Sequence, residues 1–370
     1  MPNIVLAGGG TAGHVNPLLA TANAIREASP DSHLVAVGTD SGLEASLVPD
    51  AGFQLETIER VPLPRSMSLD IARLPMRIRG ATTAAGAILD RHRADVVVGF
   101  GGYVSTPVYL AARKRKIPVV VHEGNARPGI ANKVGARFAA TVALTFPSTP
   151  LRARKGITVC VGLPLKPEIE ELAARPGGRK AARYEAAARF GLNAEEPILL
   201  VTGGSSGAKH LNDVFAAAAG DIRSVGIQTI HVTGRGKDAP VRAKAPDSGY
   251  VVIDYVDDME NAYAAADLAV SRAGAGMVAE LSALGLPAVF VPLPIGNGEQ
   301  ALNAKDVVNA GGAIMIDNKK LDVRAVRDRI IPLFEADTLQ KMSQRSTGVS
   351  PLNAASRLSE IALHLAEAVR

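Results

Sequence analysis

Residues Val5 to Ala28 read VLAGGGTAGHVNPLLATANAIREA. An apolar run enters a glycine turn, and the turn enters a helical pattern, as at the first strand and helix of a parallel α/β unit. Taken as G-x-G-x-x-G (Gly8, Gly10, Gly13), the turn matches a dinucleotide fingerprint; taken as G-x-x-x-x-G, it matches a phosphate loop. Each reading fails on a specific residue. The first wants an acidic residue about 20 positions on, at the end of the second strand, but HLVAVGTD ends in Gly-Thr and Asp40 comes late. The second wants Lys and then Ser/Thr, where the chain has His14 and Val15. What survives is an anion-binding turn, with backbone N–H groups converging at a helix N-terminus. His14 sits at that terminus. The positive end of the helix dipole favours a neutral imidazole, able to take a proton from a hydroxyl. The same position also suits a histidine that only caps or packs the turn.

Working outward, 370 residues suit two domains. With 47% hydrophobic and 21% charged residues the chain is globular. Apolar runs recur between helix-length segments: NIVLAG, HLVAVGT, FQLETI, DVVVGF, PVVVHE, TVALTF and ITVCVG, then PILLVTGG, QTIHVTG, YVVIDYV, LAVSRAG, PAVFVPLP and AIMID. Such near-continuous strands predict parallel sheets covered on both faces. VLAGGGTAG at Val5 has a counterpart in LVTGGSSGA at Leu200, so the halves repeat one plan. The division expected is residues 1–164 and 165–346, with a helix over about 347–370 packing back on the first domain. Two such domains would face one another across a cleft, with ligands outside the carboxyl ends of the strands.

The single cysteine, Cys160, excludes a disulfide framework and points to a reducing, cytoplasmic setting. MPNIVLAGGG lacks the basic and long apolar regions of a secretory leader. A formal net charge of +5 is mild and gives no reason to invoke a nucleic-acid partner. No D-x-D is present, and Asp257 and Asp258 in DYVDDME read as helix caps, so no metal or other cofactor is expected. In TGGSSGAKHLN, the hydroxyls of Ser205 and Ser206 and the backbone N–H groups suit a diphosphate held without metal.

Three longer motifs sharpen the reading: GFGGYVSTPVYLAA (Gly99 to Ala112), HEGNARPGIANK (His122 to Lys133) and SRAGAGMVAELSALGLPAVFVPLPIGNGEQALNA (Ser271 to Ala304). In this order they resemble, over nearly the whole chain, the MurG family. That family comprises the UDP-N-acetylglucosamine transferases that act on undecaprenyl-diphosphate muramoyl-pentapeptide. The resemblance implies a GT-B glycosyltransferase with two Rossmann-like doubly wound domains. The N-terminal domain would bind the lipid acceptor and the C-terminal domain the nucleotide sugar. It implies inverting transfer with His14 as base and Glu123 as the fallback. It places Thr11, Ala12 and Gly13 at the acceptor diphosphate and sugar, and carries Tyr103 over as substrate-binding. On the donor side it implies Ala275, Gly276, Met277, Val278, Ala279 and Glu280 at a helix start, Glu280 accepting both ribose hydroxyls. Val256 would meet uracil through its backbone, with Tyr255 and Met259 beside the base, and Ser205 the diphosphate. Gln300 and Asn125 would meet the sugar. Lys166 stands where the family often has Arg, which keeps the charge but loses the bidentate fork. Arg272 either neutralises the diphosphate or braces the loop.

The chain departs from the family pattern at three places: Ala12 replaces a glycine, Ser206 a glutamine and Gly124 a glutamine. Ala12 is compatible with a turn of negative φ. Rival readings are a UDP-N-acetylglucosamine 2-epimerase of the same architecture and a non-catalytic nucleotide-sugar binder. RVPLPRSMSLDIARLPMRIRG (Arg60 to Gly80) mixes Leu69, Ile71, Leu74, Met76 and Ile78 with Arg65, Arg73, Arg77 and Arg79; Arg113 to Lys116 add four consecutive cations. An apolar patch ringed by cations suits an anionic membrane surface. Together with the lipid acceptor that the resemblance implies, the patch leads to an expected peripheral position on the cytoplasmic face of the membrane; the resemblance further implies the cell-wall synthesis machinery as a partner.

Overall fold

The computed structural model describes residues 1–61, 69–295 and 297–370. Arg65 lies outside the described residues, as do the side chains of Leu69, Ile71 and Arg73. The apolar runs form thirteen strands among the described residues. In the first sheet these are β1 (Asn3–Gly8), β2 (His33–Gly38), β3 (Gln54–Thr57), β4 (Val96–Gly101), β5 (Val119–Glu123), β6 (Thr141–Leu144) and β7 (Ile157–Cys160). They are parallel and lie in the order β3-β2-β1-β4-β5-β6-β7. The second sheet comprises β8 (Ile198–Thr202), β9 (Gln228–Val232), β10 (Tyr250–Ile253), β11 (Leu268–Ser271), β12 (Ala288–Phe290) and β13 (Ala313–Met315). It too is parallel, in the order β10-β9-β8-β11-β12-β13.

Both sheets are doubly wound. Strand order reverses between β1 and β4 in one and between β8 and β11 in the other, and ligands of such sheets bind at this switch point. The glycine turns after β1 and β8 therefore occupy equivalent positions, which explains the sequence repeat.

The first sheet is buried on both faces because its strands alternate apolar residues between two cores. Val5, Val97, Val121 and Val142 join one cluster with Val108 and Tyr109, from the helix Ser105–Lys114. Ile4, Leu6, Val98 and Val120 join the other, with Val15, Leu18 and Ile25 of helix α1 (Ala12–Ala28). Leu199, Val201, Leu268 and Val270 centre a core of the second sheet.

The chain divides into two compact units, Met1–Lys166 with Asn353–Arg370, and Pro167–Leu352. The C-terminal helix, Ala354–Ala368, closes the first unit. Its Leu358, Ala362 and Ala366 are spaced four apart, share one face, and are fully buried in the α1 cluster. Arg370 pairs with Asp95 at 3.2 Å and donates to the Met1 carbonyl, so both chain ends meet in this unit.

Candidate active site

In the first unit, the turn after β1 is built around a carboxylate. Glu44, at the start of helix α2 (Glu44–Asp50), is fully buried. Its Oε1 accepts from the Thr39 N–H at 2.9 Å and the Thr39 hydroxyl at 2.8 Å, and its Oε2 from the Gly10 N–H at 2.8 Å. Burial alone would raise its pKa, but hydrogen bonds from Gly10, from its own N–H and from Thr39 hold it below the usual carboxylate range. Gly9, Gly38 and Gly42 make room for it: a Cβ at these positions would lie 2.3, 2.4 and 2.0 Å from the Glu44 side chain. Gly10 takes φ +89°, open only to glycine without strain. The Gly10 N–H thus serves the protein's own anion. Ala12 begins α1 outside the positive-φ region, as the sequence requires.

His14 lies in the first turn of α1 and is half-buried. Its Nδ1 is 3.1 Å from the Gly9 carbonyl oxygen and 3.2 Å from Thr11 Oγ1. Thr11, at the exposed N-cap position, is extended at φ −136°. The GGY motif closes on this group. Gly101 and Gly102 have φ of +98° and +83°. A Cβ at Gly102 would sit 2.6 Å from the Gly9 oxygen; one at Gly101 would sit 3.2 Å from His14 Nε2 and 3.4 Å from Asn132 Nδ2. Ser105 holds the motif, its Oγ accepting from the Gly101 N–H at 3.1 Å. Tyr103 is half-buried, with the Arg60 guanidinium 5.1 Å from its ring centroid.

Glu123 ends β5 and is buried. Its Oε1 accepts from the Asn125 N–H at 3.0 Å, and its Oε2 from the Gly129 N–H and the Asn132 amide, both at 2.9 Å. Asn132 Oδ1 accepts from the Tyr109 hydroxyl at 2.9 Å, and Tyr109 fits only because residue 99 is glycine, where a Cβ would be 2.1 Å away. Glu123 therefore frames the HEGN loop, and the half-buried His14 is the better placed of the two base candidates. Asn125 is half-buried, its carbonyl accepting from Thr149 Oγ1 at 3.2 Å. His122 is buried with Nε2 3.1 Å from the Gly162 oxygen; burial pushes its pKa down to about 4, the Gly162 carbonyl opposing and the His14 charge adding.

In the second unit, residues 203–207 turn from β8 into the helix Lys209–Ala217. Ser205 and Ser206 are exposed. A Cβ at Gly207 would lie 2.1 Å from the Thr233 oxygen, so the loops after β8 and β9 meet backbone to backbone. Lys237 donates to the Ser206 carbonyl, and the Arg235 guanidinium lies 4.0 Å from the Tyr255 ring centroid. Val256 is buried and Met259 half-buried.

The helix Ala275–Ala283 carries the densest group of expected contacts. Ala275, Gly276, Met277 and Glu280 are half-buried, whereas Val278 and Ala279 belong to the core and have only backbone to offer a ligand. Glu280 Oε2 accepts from the Tyr263 hydroxyl at 2.7 Å. Gln300 Oε1 accepts from the Ala273 N–H at 3.2 Å and the Leu293 N–H at 2.9 Å, clamping the turn before that helix. Arg272 Nη1 donates to the carbonyls of Val291 (3.0 Å) and Pro292 (3.2 Å) and to Asn318 Oδ1 (2.7 Å), contacts that brace the loop. Asp258 occupies the N-cap position of the helix Met259–Ala265 without capping it, its carboxylate instead accepting from the Asn261 amide at 2.9 Å. Lys166 is exposed at the end of the first unit's opening segment. Among the described residues no group of three or more His, Cys, Asp or Glu is arranged to hold a metal ion.

Residues 4–144 match the glycosyltransferase family 28 N-terminal domain, and residues 198–360 the glycosyltransferase family 28 C-terminal domain. The chain is 50% identical over 373 residues to the UDP-N-acetylglucosamine--N-acetylmuramyl-(pentapeptide) pyrophosphoryl-undecaprenol N-acetylglucosamine transferase of Paenarthrobacter aurescens, covering 99% of this chain and 97% of that one. It is 50% identical over 365 residues to the transferase of the same name from Nocardioides sp., covering 98% of each. The crystal structure of Acinetobacter baumannii MurG superposes with a TM-score of 0.79 at 27% identity, over 98% of this chain and 100% of that one. The UDP-GlcNAc 2-epimerase of Neisseria meningitidis, at 13% identity and a TM-score of 0.69 over 98% and 100% of the two chains, shares the fold alone. Full-length identity of this order, with both domain models in register, settles the lineage: the chain belongs to the MurG family of glycosyltransferase family 28.

Proposed function

We infer that the chain is a hexosyltransferase that moves N-acetylglucosamine from UDP-N-acetylglucosamine to the 4-hydroxyl of undecaprenyl-diphosphate-linked N-acetylmuramyl-pentapeptide, a step of peptidoglycan synthesis. The observation that carries this reading is 50% identity over 99% of the chain to a transferase of that name. His14 takes the proton of the attacking hydroxyl as its oxygen bonds to the anomeric carbon. The bond from that carbon to the diphosphate breaks with inversion, and UDP leaves. Ser205, the N–H groups of its loop and Lys166 stabilise the charge that develops on the diphosphate. Glu280 accepts the ribose hydroxyls, the Val256 backbone meets uracil, and the amides of Gln300 and Asn125 meet the sugar. Thr11, Ala12, Gly13 and Tyr103 belong to the acceptor side.

Incubation with labelled UDP-N-acetylglucosamine and a short-chain analogue of the lipid acceptor tests the assignment. Label on the lipid supports the transferase. Free N-acetylmannosamine would mean an epimerase, and unchanged donor a binding protein.

The same reading extends to an anionic membrane surface. No helix among the described residues is long and apolar enough to cross a membrane. Helix α3 (Leu69–Arg91) and helix α4 (Ser105–Lys114) line a cavity with Pro75, Ile78, Thr82 and Leu110 beside the cations Arg79, Arg113 and Lys114. Met76 is exposed close by in sequence. This pairing of apolar side chains and cations supports peripheral attachment at the cytoplasmic face, beside the cell-wall synthesis machinery that serves cell shape and division. Co-sedimentation with anionic but not zwitterionic vesicles, weakened by Arg113→Glu with Lys114→Glu, is the expected result.

A further inference from the structure

We propose that Glu44 is a positioning residue for proton transfer: acting through the Gly9–Gly10 peptide, it fixes the tautomer and ring orientation of His14. The inference rests on the reading of His14 as the base.

One peptide unit joins the two side chains. Its N–H, on Gly10, donates to Glu44 Oε2 at 2.8 Å, and its C=O, on Gly9, lies 3.1 Å from His14 Nδ1. A carbonyl oxygen only accepts, so this contact requires the proton on Nδ1 and leaves Nε2 with the lone pair a base needs. Thr11 Oγ1, 3.2 Å from the same Nδ1, can donate or accept, and so does not decide between tautomers. Glu44 decides. A negative charge at the N–H end of an amide polarises it and strengthens the carbonyl as an acceptor. The arrangement matches a carboxylate orienting a catalytic imidazole, with an amide interposed.

Two features show that the relay is built. A fully buried carboxylate costs desolvation energy that a well-packed apolar residue would avoid. Yet three glycines, at 9, 38 and 42, are shaped around it. Residue 102 is likewise kept small beside this peptide: a Cβ there would lie 2.6 Å from the Gly9 oxygen. The bland alternative is that Glu44 merely ties the β1 turn to the β2 turn.

Nitrogen-15 long-range correlation spectra of the full-length protein, with His14 assigned from His14→Gln, report the tautomer directly. The wild type should show a protonated Nδ1 and a bare Nε2; a wild type protonated at Nε2 overturns the proposal without any variant. Glu44→Gln should lose the preference and lower kcat by about 10–100-fold, the range for removing a partner that orients a functional imidazole, with the KM for UDP-N-acetylglucosamine unchanged. Thr39→Val removes a hydrogen bond to Glu44 but leaves its charge and its Gly10 contact. It should keep the tautomer, and kcat within about twofold, while showing what loosening the brace costs in thermal stability. Equal kcat losses in the two variants, with the tautomer intact in both, would make Glu44 a brace. If His14→Ala keeps full activity, the base assignment fails, whereas the spectra still judge the relay. If His14→Ala is slow and Glu44→Gln is normal in both readouts, the relay fails alone.

Discussion

The Tyr263 hydroxyl donates to Glu280 Oε2 at 2.7 Å, tying the helix Met259–Ala265 to the helix Ala275–Ala283. Tyr263 is fully buried, and burial, with the Glu280 carboxylate beside it, raises its pKa far above the ordinary phenol value. It is a permanent donor. One oxygen of Glu280 is thereby held, which sets the plane in which the carboxylate can meet a diol.

Glu280→Ala should therefore weaken UDP binding by about 1–3 kcal/mol, the scale of charge-assisted hydrogen bonds. Tyr263→Phe keeps the carboxylate but frees its plane, and should cost about 1 kcal/mol. Isothermal calorimetry with UDP measures both. Wild-type affinity in Glu280→Ala would remove this residue from the ribose.

His14→Ala should lower kcat by about 10²–10⁴-fold, the range for loss of general-base catalysis. UDP affinity should stay nearly unchanged, because His14 lies in the first unit whereas the residues expected at the nucleoside, Glu280 and Val256, and Ser205 at the diphosphate belong to the second. His14→Asn keeps a hydrogen-bonding group but cannot take the proton, so it should be nearly as slow. If Asn restores most of the rate, His14 positions the acceptor and the base lies elsewhere.

Stability should fall on mild acidification. Burial pushes His122 down to about 4, opposed by the Gly162 carbonyl and reinforced by the His14 charge; burial also pushes His231 down to about 4. In the unfolded chain both titrate near ~6.5. Between these values the unfolded state binds more protons, so the contribution is complete above ~6.5 and is lost as pH falls toward 4. Each histidine is worth about 3 kcal/mol over that window. Unfolding free energies from urea at pH 7 and pH 5 should differ by about 2 kcal/mol per histidine, because pH 5 still lies above the folded values; equal values would mean that neither imidazole is held neutral.

Transfer should persist in EDTA. The sequence offers no D-x-D, and Asp258 is engaged with Asn261. Loss of activity with chelator, restored by one divalent ion, would overturn a metal-independent mechanism.

How much of this was legible beforehand depends on whether the information was local. The central strands were legible as apolar runs, because a strand buried on both faces needs little from its partners to be recognised. The two glycine turns announced the switch points. Glu44 was not legible. Gly9 lies in the turn after β1, Gly38 and Gly42 at the turn after β2, and only the β1–β2 pairing brings them around one carboxylate. Nothing in the local sequence pairs Tyr263 with Glu280, 17 residues on. Arg272 and Gln300 carry groups suited to a ligand, and the sequence could not reveal that loop carbonyls and N–H groups already hold much of their bonding capacity. Glu123 stands within the HEGN motif, and the sequence could not show that its carboxylate also holds Asn125, Gly129 and Asn132.

The return of the final helix to the first unit has a consequence for how the protein is made. The α1 surface that receives Leu358, Ala362 and Ala366 is translated early, but everything from Pro167 to Leu352 leaves the ribosome before those residues exist. At roughly 5–20 residues per second, that delay is on the order of 10–40 s. The second unit is contiguous and can fold during it, while the first keeps an apolar seam open to chaperones. A nascent chain that terminates short of Asn353 carries that seam permanently, and exposed apolar surface of this kind marks a polypeptide for proteolysis.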